Sequence, residues 1–117
     1  MCVVVVTREI PRNQWRSYID EFSRALDPMS ARIEMAGPAL GDQVVAERLA
    51  LTAIVSDNRD DILVIALDAP GGLAEDIEDV IYRPQKIFLT RGDEGTTTFD
   101  VQDAEGNQTR IRLEPAA

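Results

Sequence analysis

The clearest pattern along the chain is one apolar stripe at helical spacing. Trp15, Tyr18, Ile19, Phe22 and Leu26 fall at i, i+3, i+4, i+7 and i+11, the repeat of a helix that buries one side. Arg16, Ser17, Asp20, Glu21, Ser23 and Arg24 take the other side. Pro11 suits a first helical turn, where its missing N–H is not needed. Pro28 disfavours helical geometry at Asp27 and ends the run there.

The rest of the chain alternates with a period of two, the mark of strands. Ala31, Ile33 and Met35 share one side against Arg32 and Glu34. Gly37-Pro38 breaks that run, and Gly41-Asp42 signals a turn. Residues 43–56 predict one or two strands, with Leu49, Leu51, Ala53 and Val55 on one face and Ala50, Thr52, Ile54 and Ser56 on the other. Asp57–Asp61 is a polar turn. Ile62–Leu67 (ILVIAL) is apolar on both faces, which predicts a central strand covered on both sides.

Asp68–Asp76, with Pro70-Gly71-Gly72, reads as a loop. Ile77–Tyr82 fits either a short helical turn or an edge strand with Ile77, Asp79 and Ile81 on one face. Beyond Arg83-Pro84, three more strands are expected. They point Ile87 and Leu89, then Thr97, Phe99 and Val101, then Thr109, Ile111 and Leu113 toward a core. The loop Asp103–Asn107 places Gly106 where a hairpin needs a positive φ.

The predicted fold is α+β: an N-terminal helix packed on a strongly bent antiparallel sheet, or on a partly open small barrel, of six to seven strands. Residues 1–8 are read as an edge strand or a disordered extension. One helix cannot cover such a sheet, so the sheet must curl, or dimerise, to hide the second apolar face of Ile62–Leu67. Length favours one domain over 1–117.

Composition narrows the chemistry. The chain has 21 acidic and 12 basic residues, no histidine and a single cysteine. Nearly all of the excess charge lies in residues 37–82, where ten acids face two arginines. No histidine is present to act as a base beside Cys2, which leaves that thiol idle. MCVVVV at the start is too short to span a bilayer. These features point to a soluble protein of the cytoplasm, with no cofactor and no membrane partner.

The stretch Thr7–Arg24 (TREIPRNQWRSYIDEFSR) resembles the opening of a small bacterial family classed as domain of unknown function 5335. The likeness continues through Gly37-Pro38-Ala39-Leu40-Gly41, Glu47-Arg48, Leu49-Ala50-Leu51, Arg83-Pro84 and Asp103-Ala104-Glu105-Gly106. It spans nearly the whole chain and rests on structural motifs. It implies a compact bacterial cytosolic domain and supplies no activity. Histidines expected in relatives ahead of the Arg-Pro pair are replaced here by Glu75-Asp76-Ile77-Glu78-Asp79.

Two acidic clusters are candidates for chemistry. Asp57, Asp60 and Asp61 could give a divalent cation some of its oxygens, but they lack a ligand loop's alternating spacing and suit a solvated turn. Glu75, Asp76, Glu78 and Asp79 could do acid–base work if burial raised one of them. The plainer reading is an acidic surface that discourages edge-to-edge aggregation. Trp15, with Arg12 and Arg16 on its flank, and Tyr82-Arg83 are candidate partner contacts, because such residues are favoured at interface hot spots.

Three functions remain. The favoured one is a non-enzymatic protein-interaction or oligomerisation module, its partner another protein or a second copy in a homodimer. The second is a carboxylate- or cation-dependent small enzyme. The third is an Sm-like nucleic-acid adaptor using Arg110, Arg112 and Lys86. The acidic middle segment opposes this last reading, since phosphate contacts dominate such binding.

Overall fold

The structure, a computed structural model, describes residues 6–24, 29–38, 41–57, 59–68, 77–92 and 95–115. Strand β1 (Val6–Ile10) leads through a 3-10 turn (Arg12–Gln14) into helix α1 (Trp15–Arg24). Then follow β2 (Met29–Gly37), β3 (Gly41–Asp57), β4 (Ile62–Leu67) and β5 (Ile77–Tyr82). The last three are β6 (Pro84–Arg91), β7 (Thr97–Asp103) and β8 (Gln108–Pro115). The eight strands form one sheet in the order β1-β6-β7-β8-β2-β3-β4-β5, and every neighbouring pair is antiparallel. The architecture is α+β, mostly antiparallel sheet with one short helix.

Two expectations change. Among the described residues the sheet has eight strands rather than six or seven. The N-terminal edge strand forms against β6 over Val6–Ile10, and Ile77–Tyr82 resolves as an outer strand paired with β4. The barrel is also absent: β1 and β5 are the two edges, and among the described residues no ladder joins them. Leu26 and Pro28, part of the helix expectation, lie outside the described residues.

The bend comes from β3. Its 17 residues serve two ladders, Gly41–Ala50 with β2 and Leu51–Asp57 with β4. Three register shifts interrupt them, two against β2 and one between Leu51 and Ala53. Each leaves an extra residue on β3, and such bulges bend and twist a strand. Because side chains alternate faces, one extra residue moves every later side chain to the opposite face. Inward positions therefore run Ala46, Leu51, Ile54, Ser56. The unbroken alternation expected over residues 43–56 fails at Thr52, and Val55 ends up 47% exposed.

β7, β8 and β6 from Lys86 onward keep simple alternation. Ile87, Leu89, Phe99, Val101, Ile111 and Leu113 all point inward and are buried, as the period-two pattern predicts. Gly106 has φ 83°, the left-handed turn geometry that glycine adopts without a Cβ clash. The helix fills the curl of the sheet. Trp15 and Ile19 are buried in the core. Trp15 Nε1 donates to the Ile10 carbonyl at 2.8 Å, which satisfies the indole inside an apolar site. Phe22 meets Phe99 of β7 edge to face at 5.2 Å.

Ile19 is 1% exposed and sits between the helix and the bent strand. Ile19→Ala is expected to lower the unfolding free energy by about 3 kcal/mol, from lost burial plus the cavity left behind. Urea denaturation followed by circular dichroism measures it.

Candidate functional site

Asp61 and Arg83 gather one end of the sheet. Both adopt the left-handed conformation, with φ 53° and 49°, uncommon for residues with a Cβ. Arg83 N–H donates to the Asp61 carbonyl at 2.9 Å, and Ala104 N–H donates to the Arg83 carbonyl at 3.1 Å. The β3–β4 turn, the β5–β6 corner and the β7–β8 hairpin are thereby tied in sequence. Arg12 closes the end from the helix side. Its guanidinium lies 4.9 Å from the Trp15 ring centre and donates to Asp61 Oδ1 at 2.9 Å.

The first acidic cluster is accordingly a built turn. Asp57 Oδ1 accepts the backbone N–H groups of Arg59 and Asp60, the local bonding that suits aspartate to turns, while Asp61 serves Arg12. Among the described residues no three acidic or cysteine side chains converge on a shared metal position.

The second cluster divides. Glu75 and Asp76, like Cys2 and the Pro70-Gly71-Gly72 loop, lie outside the described residues. Glu78 is exposed on the outer side of β5. Asp79 faces inward, opposite Ile65, which is fully buried. This corrects the surface reading of that carboxylate. Its Oδ2 is buried without a hydrogen-bond partner, and desolvation pushes its pKa above the ordinary 3.8. A charge turned inward on an edge strand discourages addition of further strands.

The outer side of the sheet has two contrasting halves. Over β7, β8, β2 and β3 it is laced with ion pairs: Asp100–Arg110 at 2.9 Å, Arg32–Glu34 at 2.7 Å, Arg32–Glu47 at 3.0 Å and Arg112–Glu114 at 3.1 Å. The hydrogen bond and charge of Asp100 hold Arg110 above its usual pKa. Two of the three basic residues considered for nucleic-acid contact, Arg110 and Arg112, are thus neutralised in place. Lys86 is exposed on the same outer side, on β6 across from Gln102.

Over β3, β4 and β5 the outer side is apolar. Register sets Val55, Val64 and Val80 in one row across the three strands. Ala53, Ala66 and Glu78 flank that row on one side, Asp57, Ile62 and Tyr82 on the other. Charge appears only at two diagonal corners, Asp57 and Glu78. Val55 and Tyr82 are the most open, 47% and 68% exposed. Of the double-sided cover expected for Ile62–Leu67, the inner side is met, with Leu63, Ile65 and Leu67 buried, while Ile62, Val64 and Ala66 on the outer side are half-buried.

The five partner-contact candidates separate. Trp15 is 3% exposed and is a core residue, its indole bonded inward, so it offers no surface anchor. Arg12 is committed to Trp15 and Asp61. Arg16 stands exposed beside Val55, Asp57 and Arg59 in a hollow at the β3 margin. Tyr82 and Arg83 line a cleft of about 360 Å³ over Met35 and Thr109, and Arg83 pairs with Glu105 at 3.0 Å. Val55 was missed as a site residue because the Thr52 bulge reverses its face, whereas Val80 lies on β5, whose alternation is unbroken. The available signal was Ile62–Leu67, too apolar for a strand with one wet side.

A bent antiparallel sheet with a single helix in its curl defines a small α+β protein. The chain belongs to a family of unknown function (DUF5335), whose model matches residues 6–117. It is 31% identical to an uncharacterized protein of Aquifex aeolicus (strain VF5) over 112 residues, 96% of each chain. Its fold is similar to the crystal structure of Bacillus subtilis YojF protein, with a TM-score of 0.50 at 12% identity over 95% of each chain. No described helix is long and apolar enough to cross a membrane.

Asp79 carries a measurable consequence. Its raised native pKa means the folded state binds the proton more tightly than the unfolded chain. The penalty is absent below the ordinary aspartate range, grows as pH rises through the native value and is complete above it. Asp79→Asn should therefore stabilise the protein at pH 7 by roughly 1 kcal/mol, the low end for an unpartnered buried acceptor because water still reaches part of the group. Thermal melts of both proteins should converge as pH falls below the ordinary aspartate value of 3.8.

Proposed function

We propose that this protein is a non-enzymatic interaction module and that the outer face of β3, β4 and β5 is its contact surface. The observation that carries this reading is the valine row Val55–Val64–Val80, on the same sheet whose other half is covered with ion pairs. Exposed apolar faces rimmed by polar groups mark interaction sites. Tyr82 beside the row fits, since tyrosine is enriched at the centre of interfaces. The left-handed Arg83 fixes the corner from which Tyr82 projects, and strained backbone of this kind clusters where position matters.

The competing readings have less support. The carboxylates of the β3–β4 turn are occupied by backbone N–H groups and Arg12. Burial alone accounts for the shift at Asp79, without a second titratable group to form an acid–base pair. An adaptor for nucleic acid would need unpaired cations where Arg110 and Arg112 are bonded to carboxylates.

Val64→Lys places an ammonium at the middle of the row. In an extract of a source organism, an immobilised wild-type bait is expected to retain specific partners, or further copies of itself, that the Val64→Lys bait releases. Circular dichroism should show both baits equally folded. Equal retention by the two would remove this face as the contact surface.

A further inference from the structure

We infer that the occupant of the valine face is a second copy of this chain, packed sheet on sheet about a two-fold axis that passes through Val64 and runs about 15° from β4. This rests on the contact surface proposed above and names its partner. Three features of the face support it.

The first is shape. A twisted sheet stacks well on another sheet of the same twist, the two strand sets lying about 30° apart. A second copy supplies that surface with no adjustment.

The second is charge. Within the residue grid the charged positions are Asp57 and Glu78, at opposite corners, with Arg16, Asp20 and Arg59 outside it at the β3 margin beside Val55. An axis so close to β4 lays β3 over the second copy's β5. Asp57 then lies over Tyr82 and Glu78 over Ala53, so no two carboxylates are superposed. A basic partner would find nothing to pair with inside the row, whereas an identical apolar face matches it.

The third is size. Three strands and three alternate residues along each span about 15 by 20 Å, or about 300 Å². Stable interfaces take about 800 Å² from each partner. The dimer is therefore weak and reversible.

The chain's net charge of -9 gives the pairing a distinctive salt response. Two such copies repel each other, and added salt screens that repulsion. Apolar self-association should tighten with salt, the reverse of what contact with a basic partner would do.

Sedimentation velocity of the full chain, up to about 1 mM and in about 0.05 M and about 0.5 M NaCl, tests this. The expected result is a shift from 12.9 kDa toward twice that mass, tighter by about threefold or more at the higher salt. Val64→Lys and, as a second variant at an already exposed position, Val55→Lys should each weaken it by about tenfold or more. In a Cys2→Ser background, Val64→Cys should be joined to its copy by a short bismaleimide. A monomer at every concentration and salt overturns the second copy. So does a dimer that neither lysine variant weakens, or one that loosens with salt. A strict monomer whose bait still retains partners that Val64→Lys releases leaves the contact surface standing with a different occupant. A monomer with equal retention by both baits removes both.

Discussion

The structure depends on one strand that cannot run straight. β3 begins in the ladder of β2 and ends in that of β4. Its extra residues turn a flat ribbon into two sub-sheets around a shared core. Without that bend, one ten-residue helix would have to cover eight strands, and most of the apolar side chains that point inward would face water. With it, the two inner faces and α1 shield one another. Each buried side chain of this kind contributes about 1.5–3 kcal/mol relative to exposure, so the bulges decide how much of that burial the fold collects.

How much of this could be read from the residues follows the same line. Helix α1 was legible because Trp15, Tyr18, Ile19 and Phe22 repeat at one period. β6, β7 and β8 were legible because alternation runs unbroken from Pro84 to Leu113, apart from an irregularity near Gln85. β3 was not, since a bulge is a property of pairing and leaves no mark in the alternation itself. The reversal at Thr52 moved Ala53 and Val55 outward and Ile54 and Ser56 inward. Trp15 was open to both a core role, as part of the apolar stripe, and a partner contact, because a surface aromatic and a core aromatic look alike until a hydrogen-bond acceptor is placed. Here the Ile10 carbonyl supplies it. Asp79 was set on the right face with Ile81, yet its burial depends on the neighbour Ile65 across the ladder, which periodicity cannot reveal.

The acidic middle of the chain also looks different once folded. Asp57, Asp61 and Glu47 are spent on a turn, a helix tether and an ion pair. Exposed pairs of this sort contribute at most about 1 kcal/mol each, so their effect lies more in geometry and solubility than in stability. Asp79 is the exception. It weakens the fold where it sits, and its inward charge opposes strand addition along β5.

A guarded edge bears on how an acidic protein could use an apolar contact. An open strand edge would recruit any extended chain through backbone hydrogen bonds, with little selectivity. A flat face selects by shape and by the exclusion of charge, and it releases readily when small. The sheet keeps these functions apart. Ion pairs lie over β7, β8, β2 and the first part of β3, where Val44 and Val45 are also exposed, a half-buried carboxylate stands on β5, and Val55–Val64–Val80 form an apolar row across three strands. The bend in β3 makes this separation, because the bulge that closes the core is also the one that turns Val55 outward.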